Sequence, residues 1–558
     1  MRLYVFLKGA LQEFGFLLML SLLFLIVMQL GRVFSLSLET LAWNLLLLSF
    51  PLGLLRSVVG RRPLAVGAFF GTLLLSFVNR LKMSHMGDPL APSDLFKLKF
   101  SPLVLQFLEW SEIILLLAAL AIVLAGFFLW WNRQKTTPEK QKYPLPSIFV
   151  VVALGLAFFL AFIGTEGKFP RREVLERFPG DYPQAEAMGK YGFFLNALLN
   201  SDIWKVDPPP RYSKTEVEQA IRSFLPAKES EPGSVRRHII VILLESFADP
   251  FGWGLRFQED PIPFYHRLKK SARSLPTLSP VLGGGTANPE FEVLTGIPVS
   301  VLPGASIPYV QYLKHRISSV PWWLKKFGWR SFAIHNNIRS FWNRQEAYPL
   351  LGFDRFFSRE DLVASKGDDE IFRKSLELLQ QDPKTPQFHF LVTFETHGPY
   401  VTEPGSKQWI SGSRFGPNLE EKIRSYSDKI RQLDGRLEDY FVGLKKLDGP
   451  QPVVLLFGDH QPEFMPDFPS PVTGERSLYR TEAIVVGGDK GLYAGLEPRG
   501  MYCLAPLLLG LQGIAEANSP YFRYLKEFCV SKRAESAERE RLKLLTFDRL
   551  FGSGYSLP

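Results

Sequence analysis

Five apolar runs crowd into the first 165 residues, at roughly 14–31, 40–58, 64–79, 111–131 and 147–164. Each has about 16 to 21 residues, and at ~1.5 Å per residue most reach across a ~30 Å hydrocarbon layer, the third only marginally. One such run could be a signal peptide, and one or two could be core helices of a soluble domain. Five in so short a stretch exceed what a soluble core needs. Residues 1–165 are therefore expected to form a five-helix transmembrane domain.

The basic residues orient it. With the N-terminus in the cytoplasm, the inner segments carry Arg2, Lys8, Arg56, Arg61, Arg62, Arg133, Lys135, Lys140 and Lys142, opposed by Glu13 and Glu139 alone. On the outer segments Arg32, Arg80, Lys82, Lys97 and Lys99 are balanced by Glu39, Asp88, Asp94, Glu109 and Glu112. An odd number of spans then puts everything after residue 165 outside the cytoplasm. The net charge of +10 over 558 residues thus reports topology, since most of the excess lies in the membrane half. With 46% hydrophobic residues and 47 Phe, the composition speaks against nucleic-acid binding and excludes a largely disordered chain. Two cysteines, Cys503 and Cys529, exclude a thiolate metal cluster; they are equally readable as a disulfide or as two buried thiols.

Residues 166–235 are polar and Pro-rich, including Asp207-Pro208-Pro209-Pro210, with helix-like patches near 184–200 and 214–225, and read as an extracytoplasmic linker. From 236 to 558 short apolar runs alternate with helical or loop stretches, which predicts an α/β domain with a mainly parallel central sheet. Buried strands are expected at His238–Leu244, Ser331–Ile334, Phe388–Phe394, Pro452–Phe457 and Ala483–Val486. Four of them end on polar groups: Glu245-Ser246, His335-Asn336-Asn337, Glu395-Thr396-His397 and Gly458-Asp459-His460. Ligands of open parallel sheets sit beyond the carboxyl ends of the strands, so these endings should converge.

Glu245, Asp459 and His460 are oxygen and nitrogen donors suited to a divalent ion. Any one alone would more simply be a helix cap or loop charge. Between the first two strands lies Leu282-Gly283-Gly284-Gly285-Thr286-Ala287-Asn288-Pro289, whose glycines let backbone approach a ligand and whose helix start favours an anion. A Thr hydroxyl there is a weak nucleophile until a metal lowers its pKa. Further on, Phe341-Trp342-Asn343-Arg344 places an indole beside a guanidinium that can grip a phosphate, or else forms an aromatic staple with a surface Arg.

Taken together, Leu243-Leu244-Glu245-Ser246-Phe247, the Gly283 to Gly296 stretch, Phe341-Trp342-Asn343-Arg344, Glu395-Thr396-His397-Gly398-Pro399-Tyr400 and Phe457-Gly458-Asp459-His460-Gln461-Pro462 carry a resemblance. The set is similar, in the same order, to the lipoteichoic acid synthase-like phosphoglycerol transferases of the alkaline phosphatase and sulfatase superfamily. That family's plan, five spans ahead of an outside enzyme domain in the bacterial cytoplasmic membrane, fits the layout. The resemblance implies that Glu245, Thr286, Asp459 and His460 bind one Mn²⁺-like ion, with Mg²⁺ or Zn²⁺ as alternatives. It implies Thr286 as nucleophile, and Trp342, Arg344 and His397 as holders of a phosphoglycerol group, with His335 nearby. The implied donor is phosphatidylglycerol and the acceptor a glycan or glycolipid. Phosphoethanolamine transfer, or a catalytically silent membrane scaffold, are the rival readings. The nucleophile position is Thr, not Cys or Ser in a modification motif, which argues against sulfatase activity.

Overall fold

The computed structural model describes residues 2–28, 36–58, 61–86, scattered positions from 90 to 125, 191–199, 206, 208–225, 236–302, 306–363, 367–411, 415–468, 478–487, 499–511, 519–530 and 536–556. It divides into two compact units, Met1–Lys205 and, for nearly all of the rest, Val206–Pro558.

In the first unit, helices α1 (Arg2–Met28), α2 (Leu38–Val58) and α3 (Arg61–Met86) take up the first three apolar runs. The runs at 111–131 and 147–164 lie outside the described residues, apart from isolated helical positions in the former. Among the described residues one helix, Phe6–Ile26, is by length and composition apolar enough to cross a membrane; Thr40–Arg56 and Leu64–Arg80 are shorter apolar stretches. α1 and α2 run antiparallel, because Ser21 Oγ meets Ser49 Oγ at 2.8 Å while Glu13 meets Arg56 Nη2 at 2.9 Å. That bidentate pair is nearly buried, and a two-pronged guanidinium contact can repay its desolvation. α1 leaves Leu7, Leu11, Phe14, Leu18, Leu22 and Ile26 exposed at helical spacing, an apolar stripe that suits lipid better than water.

The second unit is built on an eight-stranded sheet of order β4-β3-β5-β1-β6-β7-β2-β8. Its strands are β1 (Ile239–Leu244), β2 (Arg273–Leu278), β3 (Arg330–His335), β4 (Arg355–Phe357), β5 (Gln387–Val392), β6 (Val453–Gly458), β7 (Arg480–Val486) and β8 (Arg499–Gly500). All five strands from β4 to β6 are parallel, whereas β7 runs antiparallel to both β6 and β2. The sheet is therefore mixed and mostly parallel. β1, β5 and β6 are buried at every residue, as expected for strands covered on both faces.

The expected strands are all present with ends shifted by up to three residues, and β2, β4 and β8 are additions. Pro276 in β2 hides that strand from a sequence reading. Among the described residues β2 meets β8 through Thr277 and Leu278, so Pro276 lies at the end of that short ladder. Residues 208–225, inside the stretch read as linker, fold with this unit: Tyr212 Oη donates to Asp548 at 2.9 Å. Cys503 and Cys529 form a disulfide across 26 residues, tying the turn Met501–Cys503 to helix Pro520–Val530. Closing a loop of that length restricts the unfolded chain by roughly 3 kcal/mol. Cys529→Ala should lower unfolding free energy by about that amount in denaturant titration, and reductant should do the same to the wild type but leave the variant unchanged.

Candidate functional site

Parallel pairing sets the site. β1 and β6 are neighbours with Leu244 opposite Gly458, so the residues that follow, Glu245 and Asp459, leave the sheet side by side. Gly458 is required there: a Cβ would lie 2.0 Å from the carbonyl oxygen of Phe247. The Glu245 turn is held by Thr393, whose Oγ1 accepts the Glu245 amide at 2.9 Å, and by Thr396, whose hydroxyl donates to the Glu245 carbonyl. Ser246 adopts φ +50°, a strained value for a non-glycine residue. That conformation turns its amide to donate to Asp459 Oδ1 at 2.7 Å, while its hydroxyl donates to Glu245 Oε1 at 2.9 Å.

Thr286 reaches the same place from a third element. Gly283 and Gly285 take left-handed φ values of +70° and +83°, and Gly283 packs so close to Glu463 that a Cβ would lie 2.8 Å from its Cα. The loop also donates from the Gly283 amide to the Gln461 carbonyl at 3.1 Å. It delivers Thr286 to the start of helix α4 (Ala287–Thr295), with Pro289 in the first turn. Thr286 Oγ1 donates to Glu245 Oε2 at 2.9 Å.

Glu245, Asp459 and His460 place one ligand atom each within 4.8 Å of one another, all buried. His460 Nδ1 donates to the Gln461 carbonyl at 2.9 Å, which leaves Nε2 facing Asp459 Oδ2 at 3.3 Å and Glu245 Oε1 at 3.5 Å. Asp459 Oδ2 and His460 Nε2 are buried without a hydrogen-bond partner. Burial, and then the Glu245 charge, push the Asp459 carboxyl well above the usual carboxylate range, against the pull of the Ser246 and His460 amides. Two orphaned lone-pair donors in a dry cluster of carboxylates and imidazole fit a divalent cation.

Arg344 is fully buried and not a surface residue. Its Nε and Nη2 bind the Glu290 carboxylate, with Nε at 3.1 Å, and Tyr348 Oη donates to the other oxygen at 2.8 Å. Burial opposes the guanidinium charge, but the Glu290 carboxylate outweighs it and raises the pKa above the ordinary value. Arg344 Nη1 remains buried and unpartnered, the arrangement of a cation held by its back and offered at its front. Trp342 is buried, with φ +54°, and its ring lies against Phe341 at 5.0 Å.

His335 ends β3 with Nδ1 donating to the Val392 carbonyl at 2.8 Å. Burial first, then the Arg344 charge, hold its pKa well below the ordinary imidazole value, so it is neutral. His397 is half-buried, with Nδ1 donating to the Gly398 carbonyl at 2.7 Å. Its ring stacks on Phe394 at 5.0 Å, and the same Phe394 ring meets His335 at 6.0 Å. The structure thus gathers Glu245, Thr286, Asp459 and His460 into one cluster, and links His335 to His397 through Phe394. Sequence reasoning missed Glu290 and Thr393, and named Ser246 only as part of a polar strand ending. Glu290 lies four residues beyond Thr286 on α4, inside the Gly283 to Gly296 stretch, where the sequence marks it no differently from Glu292.

Residues 237–494 match the sulfatase family model. They form a domain of the sulfatase and alkaline phosphatase superfamily. A relative from Rhizobium meliloti, named for cyclic beta-1,2-glucan modification, is 29% identical over 69% of this chain; the chain spans 61% of that relative's length. A lipoteichoic acid synthase from Staphylococcus saprophyticus is 26% identical over 76% of this chain and 69% of its own. Among solved structures, the Streptococcus pyogenes phosphoglycerol transferase GacH in complex with sn-glycerol-1-phosphate is 21% identical, with TM-score 0.52, covering 62% of this chain and 96% of that one. At that identity the likeness concerns the fold of the sulfatase domain alone.

The raised Asp459 pKa has a stability consequence of definite sign. Between the unfolded carboxylate value of about 4 and the higher folded value, the folded domain holds a proton that the unfolded chain has released. This group's contribution is therefore full at low pH and is lost as pH rises. The metal-free wild type should show a more negative slope of unfolding free energy against pH than Asp459→Asn, and saturating Mn²⁺ should abolish the difference. Gly458→Ala should cost several-fold or more in Mn²⁺ affinity by calorimetry, since it separates Asp459 from Glu245.

Proposed function

We propose that this protein transfers glycerol phosphate from phosphatidylglycerol, through a glycerophosphoryl-Thr286 intermediate, to an extracytoplasmic glycan or glycolipid acceptor. The observation that carries the reading is Thr286 Oγ1 at the head of α4, bonded to Glu245 inside the cluster with Asp459 and His460. A helix start favours a phosphoryl group, and the buried front of Arg344 Nη1 supplies charge for its equatorial oxygens. Glu245, Thr286, Asp459 and His460 would hold one divalent ion, Mn²⁺ by preference, which when bound lowers the pKa of the Thr286 hydroxyl and neutralises phosphoryl charge.

In the first step Thr286 Oγ1 forms a bond to phosphorus as the bond to the diacylglycerol oxygen breaks. The hydroxyl proton is released toward Glu245, its present acceptor, and His397 protonates the leaving oxygen. In the second step the acceptor hydroxyl gives its proton to His397, attacks phosphorus and frees Thr286, which regains a proton. Trp342, Arg344 and His335 enclose the transferred group. Neutral His335 adds no charge there and serves as a hydrogen-bonding wall.

The basic residues of the first three helices and their turns support a cytoplasmic N-terminus, and the Cys503–Cys529 disulfide supports an oxidising, extracytoplasmic location for the catalytic domain. A multi-pass anchor would keep that domain at the surface where its lipid donor lies. The glucan-modifying relative favours a glycan acceptor over polymer growth.

Purified full-length protein should release diacylglycerol from phosphatidylglycerol and not from phosphatidylethanolamine; the reverse would overturn the donor in favour of phosphoethanolamine transfer. Brief exposure to lipid should load the Thr286 peptide with a glycerophosphoryl mass. Thr286→Ala should lose activity by at least ~10³-fold and still bind Mn²⁺. No lipid turnover together with no metal binding would leave the scaffold reading.

A further inference from the structure

The connection between the two histidines leads to a residue outside the site. Asp368 precedes helix α5 (Asp369–Gln381) and is fully buried. Its Oδ1 accepts the Phe394 amide at 2.9 Å and the Asn336 Nδ2 at 3.0 Å, and its Oδ2 accepts the Glu395 amide at 3.0 Å. Asn336 follows His335 at the end of β3; Phe394 and Glu395 precede His397 beyond β5. One carboxylate therefore binds both histidine-bearing strand ends. The chain from it to His397 is short: the Phe394 carbonyl accepts the His397 amide at 3.0 Å, and the Phe394 ring is the surface on which the imidazole stacks. On the far side Lys429 Nζ donates to the His397 carbonyl at 2.7 Å and Tyr400 Oη to the Thr396 carbonyl at 3.0 Å. Burial pushes the Asp368 carboxyl up to about 6, with its amide and Asn336 donors pulling the other way, so at neutral pH it is an anion held by hydrogen bonds.

We propose that Asp368 is a positioning residue for the transfer reaction: by fixing the Phe394 and Glu395 amides and Asn336 together, it sets where the His397 ring stands relative to the leaving oxygen. This rests on the proton-donor role given to His397 above. A proton donor misplaced by a fraction of an ångström loses much of its ~10²–10⁴-fold benefit, while metal and nucleophile stand on β1, β6 and α4 and touch this segment through the Thr393 and Thr396 hydroxyls, which Asp368 does not contact.

The test uses full-length protein with Mn²⁺ and two donors, phosphatidylglycerol and the nitrophenyl ester of glycerol phosphate, whose leaving group needs no proton. Asp368→Asn keeps the shape and replaces one acceptor oxygen by a donor facing an amide; Asp368→Ala removes all three contacts. Both should lower kcat on the lipid by ~10²-fold and on the nitrophenyl ester by less than about five-fold, as His397→Ala should. Mn²⁺ affinity should stay within about two-fold. Equal losses on both donors, or a wild-type lipid rate in folded Asp368→Asn, overturn the inference. Should Asp368→Ala fail to fold, the near-isosteric Asp368→Asn decides alone. If His397→Ala is itself indifferent to the leaving group, the proton role fails and the inference with it. If the wild type turns over phosphatidylethanolamine instead, the donor reading fails, and the same contrast between lipid and nitrophenyl ester on that lipid still decides Asp368.

Discussion

A buried, under-compensated cluster of charge at the ends of two adjacent strands organises the second unit. Glu245, Asp459 and His460 each place a ligand atom within 4.8 Å of the others, and all three are buried. Such a group is expensive unless donors or a cation meet it. The surrounding chain supplies donors at some cost to itself: Ser246 is bent into a left-handed conformation, two glycines of the Thr286 loop adopt positive φ, and Gly458 gives up its side chain. Strain of this kind concentrates where function needs it.

The second charged group is built on the opposite rule. Arg344 and Glu290 form a compensated pair, with Tyr348 completing the carboxylate's contacts. Removing either partner would strand a charge worth several kcal/mol, about 3–5 by analogy with other buried pairs. The guanidinium is thereby stiffened on one side, which lets its remaining nitrogen act at a fixed place. The second unit thus contains one cluster that suits a cation and one cation that suits an anion, the pairing that the proposed phosphoryl transfer requires.

Much of this was legible in the sequence because parallel strands buried on both faces are short unbroken apolar runs, and their polar endings are where ligands gather. Glu245, Asp459 and His460 were found in that way and Thr286 through its Gly-rich loop, and their meeting is now a set of distances. What was not legible depended on pairing across long separations. No periodicity announces that Glu290 will bind Arg344, or that Asp368 will hold the amides of Phe394 and Glu395. β2 escaped because a Pro inside an apolar run argues against a strand in any sequence reading, whereas the fold pairs Pro276 with Glu482 of β7. The antiparallel sense of β7 likewise has no signature in its own residues.

The register of β1 on β6 carries a consequence for the ion. With Leu244 opposite Gly458, the donors Glu245 and Asp459 spring from points separated by the spacing of neighbouring strands, about 4.8 Å. That spacing is enforced by a ladder of backbone hydrogen bonds running the length of both strands. The main chain therefore fixes the points from which the two carboxylates start, and their side-chain torsions set the gap between the oxygens. Fitting that gap to an ion would then fall to the rotamers of Glu245 and Asp459, on a base that the sheet itself holds still.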